Sequence, residues 1–491
     1  MRFSDKSIIY IGSLLAGSLL PLLMSMVMVR CLSKYDYGTF RQIMLIAVLV
    51  PTCVALGLPQ SLSYFIPRAR SPKEKKQLAL QIFACLLLLG AAAAVGGYLL
   101  QNQISARFSN PALIPLAWIF SLYLLFIVPG KCAQVTLLSL GRIKLASLLE
   151  ISTHLFSSLF VVIPLLLGKG LEVVLLSMVA YYALEFVLVL SVLLTLEGGF
   201  PKLFDWEILR AQARYSLPLW LSFIIGAARV SGDKFLVAFL YRPEDFAVYS
   251  RGAFELPLVG LVPFALSSLL VPRFAELYSR GDIGTILSLW QEAARKVSQL
   301  FFPLFVFSFI FAEEIITLLF TADYHGSVEI FRIYLCLLPL RLVSYKTILS
   351  ASGHTKPILG SAMMALVASI LLGVTLQATL GLTGPAIGNV AGEVLGFWYL
   401  LRHSRKVLRV SWTELVPISK LAQPAWASLL MGAAIFPFHW ASPGNAAMVL
   451  LFGMGYVAAY VTFMRMSRFF TEEDWALIRR CATLKVLREL K

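Results

Sequence analysis

Charge is scarce in this chain. Asp, Glu, Lys and Arg make up 14% of its 491 residues, against about 25% in soluble proteins. So few charges cannot wet the whole surface of a soluble enzyme of this size. Acid is scarcer than base: 26 Asp and Glu stand against 42 Lys and Arg, a net charge of +16. The six cysteines (Cys31, Cys53, Cys85, Cys132, Cys336 and Cys481) form no C-x-x-C pair, so neither a disulfide framework nor a metal site is indicated. No HExxH, nucleophile elbow or phosphate-binding Gly loop occurs, which removes the common catalytic constellations. Polar segments are too few for a nucleic-acid-binding domain. The positive balance therefore points to anionic lipid or an anionic substrate.

Apolar residues are abundant, at 59% with a mean hydropathy of +0.81. A membrane-spanning helix needs about 20 apolar residues. Fourteen windows qualify: 8–29, 42–66, 77–100, 112–135, 145–167, 172–196, 214–240, 252–271, 297–320, 329–350, 357–380, 385–401, 421–440 and 446–466. The window 112–135 is the weakest, because Pro129 and Lys131 interrupt it. The first window is full length and lacks a small-residue cleavage site, so it reads as a span and not as a signal peptide. The fold class expected is an all-α integral membrane protein.

Lys and Arg set the orientation. With the N-terminus in the cytosol, 29 of the 42 basic residues fall in cytosolic segments and seven in the opposite loops. The remaining six lie within spans. The decisive segment is Arg68 to Lys76, with five basic residues. Both termini are placed in the cytosol. Every outward loop is short, which argues against a catalytic domain outside. The tail 467–491 reads as an amphipathic helix: Thr471 caps it, Trp475, Ile478, Ala482, Val486 and Leu490 share one face, and its basic residues suit anionic lipid.

The two halves resemble each other at an offset of about 205–212 residues. Asp36-Tyr37-Gly38-Thr39-Phe40 matches Asp245-Phe246-Ala247-Val248-Tyr249, and Pro67-Arg68 matches Pro272-Arg273. Pro129-Gly130-Lys131 matches Pro339-Leu340-Arg341, Gly141 to Lys144 matches Gly353 to Lys356, and Glu185 matches Glu393. Their common order implies duplication. Six spans per half is an even number, so the halves run parallel, and repeats of this kind place a substrate site at their interface and transport by rocking. The expected organisation is a six-helix lobe over 1–196, a cytosolic linker over 197–213 and a second six-helix lobe over 214–401. Two additional helices over 402–466 and the tail follow.

The run Leu32-Ser33-Lys34-Tyr35-Asp36-Tyr37-Gly38-Thr39-Phe40, leading to Gly57-Leu58 and Tyr64-Phe65-Ile66-Pro67-Arg68, resembles the N-terminus of the Wzx-type oligosaccharide flippases. These are polysaccharide exporters of the multidrug/oligosaccharidyl-lipid/polysaccharide (MOP) superfamily. Glu314-Ile315-Ile316-Thr317-Leu318-Leu319-Phe320 and Ser352-Gly353-His354-Thr355-Lys356 are similar to the same family. The resemblance implies a two-lobed transporter of 12–14 helices that flips undecaprenyl-pyrophosphate-linked sugar. No match is found to the N-terminal motifs of the lipid II flippases, which disfavours that cargo.

A charge at the bilayer centre costs about 2.5–3.5 kcal/mol on insertion scales, so charged residues inside the spans need a reason. Arg229 precedes Tyr241, and Arg341 precedes Gly353, by 12 residues, about 18 Å of helix. Both then sit near mid-depth, beyond the reach of snorkelling. Lys131 is the repeat partner of Arg341, and Lys234 and Lys346 complete a set of candidate substrate-binding cations. Asp233, one turn after Arg229, reads either as a structural ion-pair partner or as an ion-coupling group. The other coupling candidates are Glu185, Glu393, Glu150 and His154, the last two sharing a face at i and i+4. Gly384, Gly388, Gly392 and Gly396 read as a packing face for a neighbouring helix.

A flippase fits best, because a pyrophosphate-sugar head needs fork-shaped cations to cross hydrocarbon. An exporter of cationic drugs would want acidic cavities, and a sugar polymerase would want outer loops and a catalytic constellation. The expectations are therefore a transporter and not an enzyme, and no cofactor, with coupling to H+ or Na+ left open. The partners expected are a lipid-linked oligosaccharide, anionic lipids, a polysaccharide polymerase and glycosyltransferases, but no nucleic acid.

Overall fold

The computed structural model describes residues 3–199, 204–342, 344–439, 446–467, 469–470 and 472. Most of the expected amphipathic tail lies outside the described residues. Among them the chain is all-helical, and it divides into two compact units, 1–248 and 249–491.

The first unit contains α1 (Phe3–Cys31), α2 (Lys34–Val54), α3 (Leu58–Phe65), α4 (Pro72–Leu99), α5 (Gln101–Arg107) and α6 (Leu113–Ser139). It continues with α7 (Ile143–Leu166), α8 (Leu171–Leu194), α9 (Trp206–Leu240) and the start of α10 (Pro243–Gly252). α4 packs on α6, α6 and α7 on α8, α1 on α7, and α2 and α3 on α9. Leu62, Ile66, Ile82, Leu86, Val128 and Cys132 are fully buried where α3, α4 and α6 meet.

Capping explains where these helices begin. Ser33 accepts from Asp36 N at the start of α2, Ser71 from Glu74 N at α4, and Asp205 from Glu207 N and Ile208 N at α9. Each satisfies an N–H that the helix itself leaves without a partner. The expected span 42–66 is broken between α2 and α3, where Leu56 and Gly57 take φ of 50° and 67°. Trp220 Nε1 on α9 donates to Cys53 O at 2.8 Å and satisfies a carbonyl freed by the break. A Cβ at Gly57 would stand 2.9 Å from Ser216 O, so a side chain is excluded as well as strained.

The motif that carries the family resemblance is explained by what it touches. Asn110 is fully buried; its Nδ2 donates to Thr39 Oγ1 at 2.9 Å and Gln42 Oε1 at 2.7 Å. Its Oδ1 accepts from Tyr35 Oη at 2.7 Å and Ala112 N at 3.1 Å. All hydrogen-bonding positions of that amide are filled, tying the loop before α6 to α2. Gly38 gives clearance to the backbone of Pro243, which would clash with any Cβ there. At the other end Lys76 Nζ donates to Leu194 O and Leu196 O, and Gln81 exchanges two hydrogen bonds with the Asp205 backbone. α4 thereby holds both ends of the 195–205 connection.

The second unit contains α11 (Pro257–Ser279), α12 (Ile283–Ile310), α13 (Ala312–Phe320), α14 (Ser327–Leu335) and α15 (Lys346–Ala351). It ends with α16 (Lys356–Leu380), α17 (Thr383–Leu408), α18 (Trp412–Leu415), α19 (Ile418–His439) and α20 (Ala446–Met466). Two windows expected as continuous spans are interrupted in mid-course, and the window 252–271 opens on the non-helical residues 253–256. The window 297–320 breaks at Phe311, between α12 and α13. The window 329–350 breaks between α14 and α15, around a short 3₁₀ turn at Pro339–Arg341. There the N–H groups of Cys336, Leu337, Leu338, Leu340 and Arg341 all bond three residues back instead of four. Pro339 brings no N–H and crowds the preceding turn. Its repeat partner Pro129 stays inside continuous α6, next to Val128 in the fully buried core.

The glycine face behaves as expected. α17 lies along α16, and a Cβ at Gly384 or Gly388 would collide with the backbone at Gln377 or Gly373. At Gly392 it would stand 2.6 Å from Ala365 O. Outside the spans, Ser411 and Glu414 form a capping box, whose hydrogen bonds hold the Glu414 carboxyl below its ordinary value of 4.5. Trp290 and Gln291 of α12 donate to Leu415 O and Glu414 O and fix that segment.

Among the described residues, eight helices are long and apolar enough to cross a membrane: α2, α4, α6, α7, α8, α12, α16 and most of α20. The protein is an all-α integral membrane protein.

Candidate functional site

The first unit gathers a polar cluster on α6, α7 and α8. Thr153 Oγ1 on α7 lies 2.8 Å from Glu185 Oε1 on α8. Lys131 on α6 lies within electrostatic range of Glu185 and of His154, and Glu150 lies within range of His154. Four of the ten residues singled out by sequence therefore share one neighbourhood. Gly17 of α1 makes room for the imidazole, since a Cβ there would stand 2.8 Å from His154 Nε2. Tyr123, Tyr181 and Tyr182 line the same region; the rings of Tyr123 and Tyr182 meet edge to face with centroids 5.0 Å apart. Sequence reasoning missed Thr153 and these tyrosines. The available signal was Thr153 one turn after Glu150 on the same helix face.

Arg229 and Asp233 stand one turn apart on α9. Asp233 is 3% exposed and Arg229 half-buried. Lys234, next along the helix, reaches back to within 3.5 Å of Val230 O.

The second unit places Arg341 on the 3₁₀ turn that interrupts the expected span. Its Nη1 donates to Oε2 of Glu255, which lies in the non-helical stretch between α10 and α11. A cation and a carboxylate thus meet where two segments leave helical geometry together. Non-helical backbone at membrane depth is tolerated where it is buried in protein or lines a water-filled cavity, and discontinuous helices build the substrate sites of many transporters. Lys346 is exposed at the start of α15, and Thr347 beside it donates to Ser267 Oγ of α11 at 2.9 Å. Glu393 is half-buried beside the glycine face of α17. Asn389, four residues earlier, donates to Tyr334 Oη at 3.1 Å, a buried polar contact that sequence reasoning did not single out. Among the described residues no group of His, Cys, Asp and Glu has the makings of a metal site.

A family model described as "Polysaccharide biosynthesis protein" matches residues 27–329, more than half of the chain. A second, described as "Lipid II flippase MurJ", matches residues 246–479. No curated protein matches. Among solved structures, the inward closed conformation of the lipid II flippase MurJ superposes with a TM-score of 0.75 at 16% identity, covering 94% of this chain and 98% of that one. An inward-facing multidrug resistance MATE family transporter of the MOP superfamily gives 0.65 at 15% identity, over 80% of this chain and 96% of that one. The bent form of the Vibrio cholerae MATE transporter VcmN gives 0.54 at 14% identity, over 83% and 97%. These similarities establish a shared fold, that of the MOP transporters.

Proposed function

The chain belongs to the polysaccharide biosynthesis protein family, and from that premise we propose that it is a flippase. Its cargo is an undecaprenyl-pyrophosphate-linked oligosaccharide repeat unit, moved across the bacterial cytoplasmic membrane by alternating access for O-antigen, capsule or exopolysaccharide synthesis. On this reading it is a transporter and not an enzyme, lies in the inner membrane with both termini in the cytosol, and needs no cofactor. A polymerase and glycosyltransferases work beside it, and anionic lipids surround it.

The observation that best supports the reading is Arg341 on a helix break, held by Glu255. A planar guanidinium donates two parallel hydrogen bonds to a pyrophosphate, which an ammonium cannot do. Glu255 neutralises the cation while the site is empty. An arriving anion displaces that carboxylate, which is then free to take up a proton or Na+. The cluster of Lys131, Glu185, Glu150 and His154 supplies a second cation with carboxylates in range. Arg229 with Asp233 supplies a third. The inside-negative potential favours outward movement of a negative charge by about 2.3 kcal/mol per 100 mV.

Arg341→Ala is expected to lower polymer export at least about tenfold while the protein reaches the membrane in normal amount, and Arg341→Lys to be impaired as well. Export and abundance are measured in the same cells. A purely structural pair behaves differently: Arg341→Met with Glu255→Leu then restores both level and export, because removing both charges together leaves neither without its partner. Restored export in that double variant contradicts the assignment.

A further inference from the structure

Tyr64 lies near the end of α3 and Tyr215 near the start of α9. Their rings stack with centroids 4.7 Å apart and 26° between planes. The Arg68 guanidinium carbon lies 3.7 Å from the Tyr64 centroid. A guanidinium and a ring at those distances cannot occupy one face, so Tyr64 is sandwiched between Arg68 and Tyr215. Arg68 Nη1 donates to Tyr64 O at 2.9 Å. Among the described residues that bond and the ring contact are the interactions Arg68 makes, which leaves its other N–H groups available to a ligand. Phe65 packs its ring edge-on to Tyr215 and steadies it. The stack is open: Tyr64 is 38% exposed, Tyr215 37%, and Arg68 is exposed. Arg70, Lys73 and Arg214 are exposed on the adjoining stretches of chain.

An arginine free in solvent carries rotamer entropy that binding must remove. Here the stack and the backbone bond have already fixed the group, so an anion meets a pre-organised fork. Aromatic faces suit the C–H faces of sugar rings, and hydroxyls at the ring edge suit their polar rims. An ordinary interfacial belt of tyrosine sits at headgroup level without a fixed guanidinium stacked on it. Fork and platform together match a phosphate-linked sugar better than a bare phospholipid head.

We propose that the Arg68–Tyr64–Tyr215 stack docks the sugar-phosphate headgroup of the cargo, on the face that the Lys/Arg bias assigns to the cytosol. The proposal rests on the flippase reading and adds a loading site to it.

The test uses the full chain in phosphatidylcholine nanodiscs and two probes, farnesyl-pyrophosphoryl-N-acetylglucosamine and farnesyl pyrophosphate. Arg68→Gln is expected to weaken both by about tenfold, and Arg68→Lys to behave likewise, because a point charge neither stacks nor forks. Tyr215→Ala is expected to weaken the sugar-bearing probe several-fold more than the bare pyrophosphate, with Tyr215→Phe close to wild type. Phosphatidylglycerol added to the discs leaves these affinities in place. Unchanged binding in Arg68→Gln, full binding in Arg68→Lys, or displacement by phosphatidylglycerol overturns the docking site while the flippase reading stands. A wild-type protein that binds neither probe overturns both.

Discussion

Asn110 fastens the loop before α6 to α2 with one side chain, which bonds Tyr35, Thr39, Gln42 and the Ala112 backbone. Removing it leaves several buried groups without partners, at about 1–3 kcal/mol each. Asn110→Ala should lower the melting temperature of the detergent-purified protein by several degrees, read by intrinsic fluorescence, while Tyr35→Phe costs less. An unchanged melting temperature contradicts the network. Lys131, His154, Glu185 and Arg341 were legible in sequence because a charge inside an apolar run is conspicuous. Asn110, Thr153, Tyr181 and Tyr215 were not, because uncharged polar and aromatic residues are common in loops and spans, and only tertiary packing selects them. The Arg341–Glu255 pair was hidden for another reason: its members are 86 residues apart, and no local pattern joins them.

The glycine series on α17 shows an element-scale feature that sequence could read, since an i+4 spacing of residues without side chains has few uses besides close packing. Gly388→Val drives a branched side chain into the backbone of α16 at Gly373. It should sharply reduce the amount of folded protein in the membrane, whereas Val394→Ala, on an exposed position of the same helix, should leave the amount unchanged. Comparable levels for the two variants contradict the packing. Helix continuity was less legible. Hydropathy counts apolar residues, and a 3₁₀ turn has the same composition as the α-helix it interrupts. The sequence treats Pro129 and Pro339 alike; packing keeps the first inside α6 and lets the second end α14.

At the scale of the whole molecule, each of the fourteen apolar windows falls mostly on helix among the described residues, apart from the breaks described and a few positions at window ends. Fold class was legible because the membrane forces every span to satisfy its own backbone. Orientation rests on Lys and Arg alone, and a fusion series tests it. A reporter active only outside the cytosol should be silent after Lys76 and active after Asn110; activity at Lys76 reverses the topology. What the chain moves is tested most directly in proteoliposomes holding the purified protein and a fluorescent undecaprenyl-pyrophosphate-linked oligosaccharide. The labelled lipid is expected to reach the opposite leaflet faster with wild-type protein than with Arg341→Ala or empty vesicles. Equal rates in all three preparations, across the candidate repeat units, would contradict the flippase reading.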